Sequence, residues 1–338
     1  MGKLIFLERA TVTLTALALL ANNMLRRNCL SMAIFGFLLM VIPTTIAAPS
    51  PVATANHNQG VFGGVSIEVS NSTNASSEET MSSMPNIVEV FTATWCENCV
   101  DSEEGLMLAI DEADKQSIVL TYHRAIMETE DPFGVEKVEN RWIDQYGDAS
   151  LNAVGVKSAA PSTVINGELL HAGSGGLGSV DLKPIFAESL ASQPYFSDNS
   201  ATSSLSWSSG DTTNGTISWN LDAGDWLPES TSSLIFVVEE SATFEEGSNG
   251  QGDYHDVIRD MIELTSNSGS MSYSLPEAWD GEDLSLVLIH QWEVVDIVTE
   301  PPNNNENGFF GLSAIGLVGV VLGLVGAAIL PLQRSARC

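Results

Sequence analysis

Two of the four cysteines in this 338-residue chain stand three apart, in Trp95-Cys96-Glu97-Asn98-Cys99. A thiol pair at that spacing can cycle between dithiol and disulfide, the first sulfur attacking and the second resolving the mixed disulfide. The chemistry asks for a helix N-terminus, whose unpaired N–H groups and dipole stabilise a thiolate. The apolar run Ile87-Val88-Glu89-Val90-Phe91 directly upstream reads as the strand that delivers Cys96 to such a helix. Cys99 then falls one turn along the same face. A structural zinc site wants four ligands, and the remaining cysteines, Cys29 and Cys338, fall in terminal segments. A permanent disulfide staple, or half of a metal site, stays open beside the redox reading. His123 adds a third option, copper delivery through Cys96, Cys99 and His123, because thiolate and imidazole suit that metal. Glu97 lies between the cysteines, and Asp101, Glu103 and Glu104 follow. Their charge works against a thiolate on Cys96, so a strongly oxidising site is not expected.

The elements that must position the pair follow from the hydrophobic pattern between Asn86 and about Ser192. Strand 87–92, helix 97–114, strand 118–122, helix 134–146, strands 162–165 and 168–171 and helix 181–191 give the order βαβαββα. Cys99, Leu106, Ile110 and Ala113 share one face of the first helix; Val135, Val138, Trp142 and Tyr146 form the stripe of the second. Asn166-Gly167 reads as a two-residue hairpin turn, and Asp181 as the cap of the last helix.

A Trp-Cys-x-x-Cys after the first strand, with Ala160-Pro161-Ser162-Thr163 leading into a strand and hairpin, resembles the thioredoxin superfamily. The resemblance implies an α/β thioredoxin-like fold in which Cys96 is the nucleophile, Cys99 the resolving thiol and Pro161 a cis-proline beside them. Trp95 and Ala160 would line the groove in which an extended substrate pairs with the backbone. The only redox group implied is the Cys96–Cys99 disulfide itself, with no further cofactor and no metal. Six residues before the first cysteine, where that family buries a proton-accepting acid, this chain has Val90, with Glu89 on the opposite strand face.

From about Pro194 to Glu300 the composition shifts to Ser, Thr, Gly and Trp, with runs such as Thr216-Ile217-Ser218-Trp219 and Leu234-Ile235-Phe236-Val237-Val238. Strands at this spacing predict a small β-sandwich domain. The stretch Tyr254-His255-Asp256-Val257-Ile258-Arg259-Asp260, after Glu239-Glu240, resembles exported thioredoxin-like surface proteins of the outer-membrane-protein-28-related group, over about residues 85–298. Arg259 is expected to pair with a buried acid. Glu239, Glu240, Glu245, Glu246 and Asp253 form an acidic group with no EF-hand spacing, a weak case for calcium.

The ends read as targeting segments. Leu25-Arg26-Arg27-Asn28-Cys29, the apolar run 30–43 and Thr45-Ile46-Ala47-Ala48 make an export signal. Residues 309–332 hold no charge and are followed by Arg334 and Arg337, the pattern of a single span with the preceding chain outside the cytoplasm. Asn307-Gly308-Phe309 with the apolar span and basic tip also resembles archaeal sortase-type processing signals. The organisation expected is therefore a leader (1–48), a flexible linker (49–84) with a candidate short strand at Val65-Ser66-Ile67-Glu68-Val69, a thioredoxin-like domain (85–192), a β-sandwich domain (193–300), a linker (301–308), a transmembrane helix (309–332) and a cytoplasmic tail (333–338).

Between residues 49 and 308 lie seven basic and 42 acidic residues, a net charge of −35. Such a surface repels nucleic acid and anionic lipid and suits a solvated exterior. Asn71, Asn74 and Asn214 begin N-glycosylation sequons. The function expected is a membrane-anchored extracytoplasmic thiol–disulfide oxidoreductase. Its partners would be exported protein thiols or disulfides and a membrane or small-thiol redox partner. The alternatives are a non-catalytic cell-surface binding protein with a permanent Cys96–Cys99 disulfide, or a copper metallochaperone.

Overall fold

A computed structural model describes residues 54–55, 58–70, 72–194, 201–211, 213–223 and 230–294. Along the chain the strands are β1 (Thr54–Ala55), β2 (Gln59–Glu68), β3 (Asn74–Thr80) and β4 (Asn86–Thr92), followed by helix α1 (Glu97–Ile110) and β5 (Ser117–His123). Helix α2 (Glu136–Val154), the hairpin β6 (Ser162–Ile165) and β7 (Leu169–Ala172), and helix α3 (Ser179–Leu190) come next. The chain then runs through β8 (Thr202–Ser209), β9 (Asn214–Asp222), β10 (Thr231–Thr243), β11 (Asp253–Leu264), β12 (Ser268–Ser274) and β13 (Leu284–Glu293).

The α/β thioredoxin-like fold followed by a separate small sandwich is not what forms. Among the described residues there are thirteen strands against three helices. Nine of the strands make one mixed sheet in the order β1-β7-β6-β4-β5-β11-β10-β13-β2, which does not break near residue 192. Its parallel pairs are β4 with β5 and β5 with β11, joined at Thr121 and Val257. The physical reason lies in β10 and β13. Leu234–Val238 and Leu284–Ile289 are buried on both faces, which is the pattern of central strands and not of a sandwich with one wet side. Such strands need neighbours on both edges; β11 links them to β5, and β2 covers the far side.

That last contact corrects the tether expected over 49–84. Val61, Phe62, Val65 and Ile67 of β2 are buried against the core, and β3 forms one edge of a second, four-stranded sheet, β12-β9-β8-β3. The expected helix 134–146 also runs on to Val154, where Gly155 takes a left-handed φ of 86° and stops it. Gly178, not Asp181, is the N-cap of α3. No helix among the described residues is long and apolar enough to cross a membrane. The expected leader, the span 309–332, the tail and Asn71 lie outside the described residues.

Strand periodicity divides the core into layers. Val88 and Val90 of β4 pack against α1 and α3, with Leu106, Leu182 and Phe186. Ile87, Phe91, Leu120 and Phe236 face the other way, onto Trp142 and Tyr146 of α2. Further along, Ile235, Val237, Leu286 and Leu288 meet Leu205, Trp207 and Ile217 of the four-stranded sheet. Asn166 and Gly167 have left-handed φ values of 53° and 67°, and because Ile165 pairs with Leu169 the loop holds three residues where a two-residue turn was expected. A Cβ on Gly167 would come within 2.7 Å of the Val61 backbone nitrogen.

One buried and one half-buried ionisable group give the fold opposite responses to acid. The ring of His290 lies between Ser203 Oγ and Ser233 Oγ, 2.7 Å from each, and burial pushes its pKa down to about 3. Burial, with help from Glu240 and against the pull of His255, raises the Asp256 carboxyl to about 6. Below its ordinary value of 6.5 the unfolded chain takes a proton on His290 that the folded chain refuses. That contribution to stability is present above pH 6.5 and is lost toward pH 3, by up to about 1.4 kcal/mol per pH unit. Asp256 has the reverse sign: its contribution is present below 3.8 and lost as pH rises through 6. Between pH 6 and 4 the two offset one another. In urea titrations Asp256→Asn is expected to lose stability more steeply on acidification than the parent, and His290→Gln less steeply. Parallel pH dependences for all three proteins would refute this assignment.

Candidate functional site

The strand β4 ends at Thr92 and a short strap, Ala93-Thr94-Trp95, leads into α1 with Cys96 as its N-cap. Cys96 N–H donates to Ala93 O at 3.0 Å and Cys99 N–H to Cys96 O at 3.1 Å. The two cysteines are joined as a disulfide with Cα atoms 5.3 Å apart. Both residues are buried: Cys99 is 0% exposed and Cys96 retains 6%. No side chain caps the first turn of α1, and Glu97 adds an acid to that turn.

Of the residues expected to form the groove, Trp95 and Ala160 pack against the pair. Ala93, Cys96 and Cys99 make one apolar cluster, with Trp95 and Ala160 packed on it. The Ala160–Pro161 peptide is cis, Pro161 O accepts from Gly173 N–H at 2.8 Å, and Ala160 makes no main-chain hydrogen bond among the described residues. The Trp95 indole donates to Glu128 Oε2 at 2.7 Å. Burial works against that carboxylate, but the Glu130 N–H, the indole and the Thr129 N–H outweigh it and hold its pKa low. Arg124 Nη1 reaches Ser158 O at 3.3 Å, so the loop carrying Glu128 is tied to the segment before Ala160.

Beneath the strap lies a polar support that the sequence did not announce. Asp131 accepts from the Thr94 N–H at 3.0 Å and lies 2.9 Å from His123 Nδ1. Phe133 and Tyr254 stand edge-on to the His123 ring at 5.1 and 5.7 Å between centroids. Its Nε2 is buried without a hydrogen-bond partner. The β10–β11 loop closes the strap from the far half of the chain. Asn249 N–H donates to Thr94 O at 3.1 Å, and Tyr254 OH donates to Asn249 Oδ1 at 2.9 Å. Gly247 lets the loop pass, since a Cβ there would sit 2.1 Å from the Tyr254 hydroxyl.

Glu103, one turn beyond Cys99 and read from sequence only as one of the acids crowding the pair, has its own setting. Its Oε1 accepts from Thr92 Oγ1 at 2.5 Å. Burial raises its pKa, partly countered by the Thr92 hydroxyl and the His123 imidazole. With Val90, Val119 and Thr121 it lines a cavity of about 310 Å³ between α1 and β11. Val90 thus leaves the β4 side of this space apolar, and a carboxyl enters from the helix side. A carboxyl whose pKa is raised by burial is suited to accepting and returning a proton.

Other candidates separate from the pair. No group of three or more His, Cys, Asp or Glu side chains among the described residues is placed to hold a metal ion, so His123 does not join Cys96 and Cys99 in a ligand set. Glu239, expected as a calcium candidate, is a structural acid. It accepts from Arg259 Nη1 at 2.8 Å and from the N–H groups of Trp279 and Asp280 at 2.6 and 3.0 Å.

No family model matches the chain, and no curated protein does. Among solved structures the chain is similar to HBP35 of Porphyromonas gingivalis, with 16% identity over 68% of this chain and 80% of that one, at a TM-score of 0.40. A protein from Agrobacterium tumefaciens shares 18% identity over 56% of this chain and 78% of its own, at a TM-score of 0.36. At these scores neither establishes a family, a fold or an activity for this chain.

Proposed function

We propose that this protein is a membrane-anchored, extracytoplasmic thiol–disulfide oxidoreductase acting on exported proteins, with Cys96 and Cys99 as its redox couple. The observation that carries the proposal is the placement of the pair: Cys96 is the N-cap of α1 and keeps 6% exposure, while Cys99, one turn in, has none. In the reducing direction the Cys96 thiolate attacks one sulfur of a client disulfide, an S–S bond forms to Cys96, and the client's other sulfur leaves as thiolate. Cys99 then gives up its proton and attacks Cys96, releasing the second client thiolate. Two electrons pass to the client and the protein ends as disulfide. The same steps run backwards oxidise a client. Glu103, four residues beyond Cys99 on α1, would be the acid that takes the Cys99 proton. Trp95, Ala160 and Pro161 shape the groove, and the main chain of Ala160 is available to an extended client.

The burial of both sulfurs favours the competing reading, a permanent disulfide in a binding protein. Turnover separates the two. After mild reduction, iodoacetamide is expected to modify Cys96 ahead of Cys99, and the unmodified protein to accelerate reduction of a peptide disulfide by dithiothreitol. A rate equal to that of dithiothreitol alone would remove the catalytic reading.

A further inference from the structure

The outward face of the four-stranded sheet differs from the rest of this acidic molecule. Its inward side chains, Trp207 and Ile217 among them, fill the core. Register aligns the outward ones in rows across the strands: Asn74, Ser208, Thr216 and Ser272 form one, and the next is a serine on all four strands. Among the described residues of the four strands only Glu78 and Asp222 bring charge to this face, both toward its other end, in a chain with 42 acidic residues between positions 49 and 308. A shallow depression of about 300 Å³ runs over Ser76, Ser206 and Ser218.

Two sequons open onto this surface. Asn74 and Asn214 are exposed at the first positions of β3 and β9. The period of two places Ser76 and Thr216, the hydroxyl residues that the sequon requires, on the same face as their asparagines. The strands β3 and β9 flank β8, which puts the two asparagines on the order of 12 Å apart at one end of the sheet. Asn74 Nδ2 meets only the neighbouring Thr73 hydroxyl at 3.4 Å, and Asn214 Nδ2 reaches Asp211 in the preceding turn at 3.3–3.4 Å, long contacts that a modification can replace.

We infer that Asn74 and Asn214 are N-glycosylated and that their glycans lie over this hydroxyl face. In the coupling, the asparagine Nδ2 forms a bond to the anomeric carbon of a glycan carried on a lipid phosphate. The carbon–oxygen bond to that phosphate breaks, the lipid phosphate leaves with the electron pair, and Nδ2 loses one proton. The small, uncharged side chains offer donors and acceptors to sugar hydroxyls and no carboxylate to compete for them. Without such a cover, a chain that carries acid almost everywhere else has no evident reason to exclude it here. The inference rests on the extracytoplasmic location proposed above and is independent of the redox chemistry.

The test is peptide mass spectrometry on the protein recovered from membranes of the cells that naturally make it, with the Cys96–Cys99 state read by alkylation in the same sample. The expected result is a hexose-containing mass on the Asn74 and Asn214 peptides. In Ser76→Ala the mass at Asn74 should disappear while that at Asn214 stays, and in Thr216→Ala the reverse. Unmodified asparagines at both positions in protein whose disulfide has formed would overturn the inference. Glycan on both asparagines in protein that lacks exchange activity would uphold it while removing the redox reading.

Discussion

Exchange of Cys99 for serine is expected to convert the protein into a trap. With the resolving thiol gone, the Cys96 thiolate still attacks a client disulfide, but the mixed disulfide has no internal route to release. Covalent adducts should accumulate on Cys99→Ser, migrate as higher-mass species without reductant and collapse when dithiothreitol is added. Cys96→Ser should form none, because the sealed Cys99 has no access to a client, and steady-state exchange in both variants should fall to the uncatalysed rate. Equal adduct formation by the two single variants would contradict the assignment of roles.

The second large effect concerns the ion pair under β4. Glu89 is fully buried; its Oε2 accepts from Arg141 Nη1 and from Tyr122 OH at 2.5 Å each, and its Oε1 from Tyr146 OH at 2.5 Å. Arg141 also contacts the Tyr122 hydroxyl and donates to Gln291 Oε1 at 3.1 Å, so one guanidinium ties α2 to β5 and β13. Arg141→Met preserves much of the volume but leaves the Glu89 carboxylate buried without its cation. The expected loss is about 3–5 kcal/mol, or roughly 10 °C in the thermal midpoint. Glu89→Gln in the same chain should recover part of that loss, since the uncompensated charge is then gone. A single variant within about 0.5 kcal/mol of the parent would show the pair to be dispensable.

What the sequence yielded, and what it did not, follows the range of the interactions concerned. The strand before Cys96, the helix after it and the Asn166-Gly167 turn rest on contacts close in the chain and were legible. The continuity of the sheet was not. It depends on β5 meeting β11, more than 130 residues later at Thr121 and Val257, and on β2, whose Gly-rich run Gly60-Val61-Phe62-Gly63-Gly64 reads as tether by composition. The doubly buried runs of β10 and β13 carried a usable signal, because an unbroken apolar run marks a strand covered on both faces. At the site, Cys96 and Cys99 were found from their spacing, and Trp95 and Ala160, named through the resemblance, pack on them. Asp131, Asn249 and Tyr254 were missed because each touches the Thr94 strap only through tertiary contact. For Glu103 a local signal did exist. Its spacing of four from Cys99 puts both on one flank of α1, and burial there decides whether the acid merely opposes a thiolate or serves it.

The central claim is that the Cys96–Cys99 bond is a working couple. Equilibrating the purified protein in glutathione and dithiothreitol buffers, with the thiols quenched by alkylation and counted by mass, gives its reduction potential. The account predicts a reversible two-electron transition between roughly −120 and −270 mV, absent from both serine variants. A disulfide that stays closed below roughly −300 mV would contradict it and mark the pair as a staple.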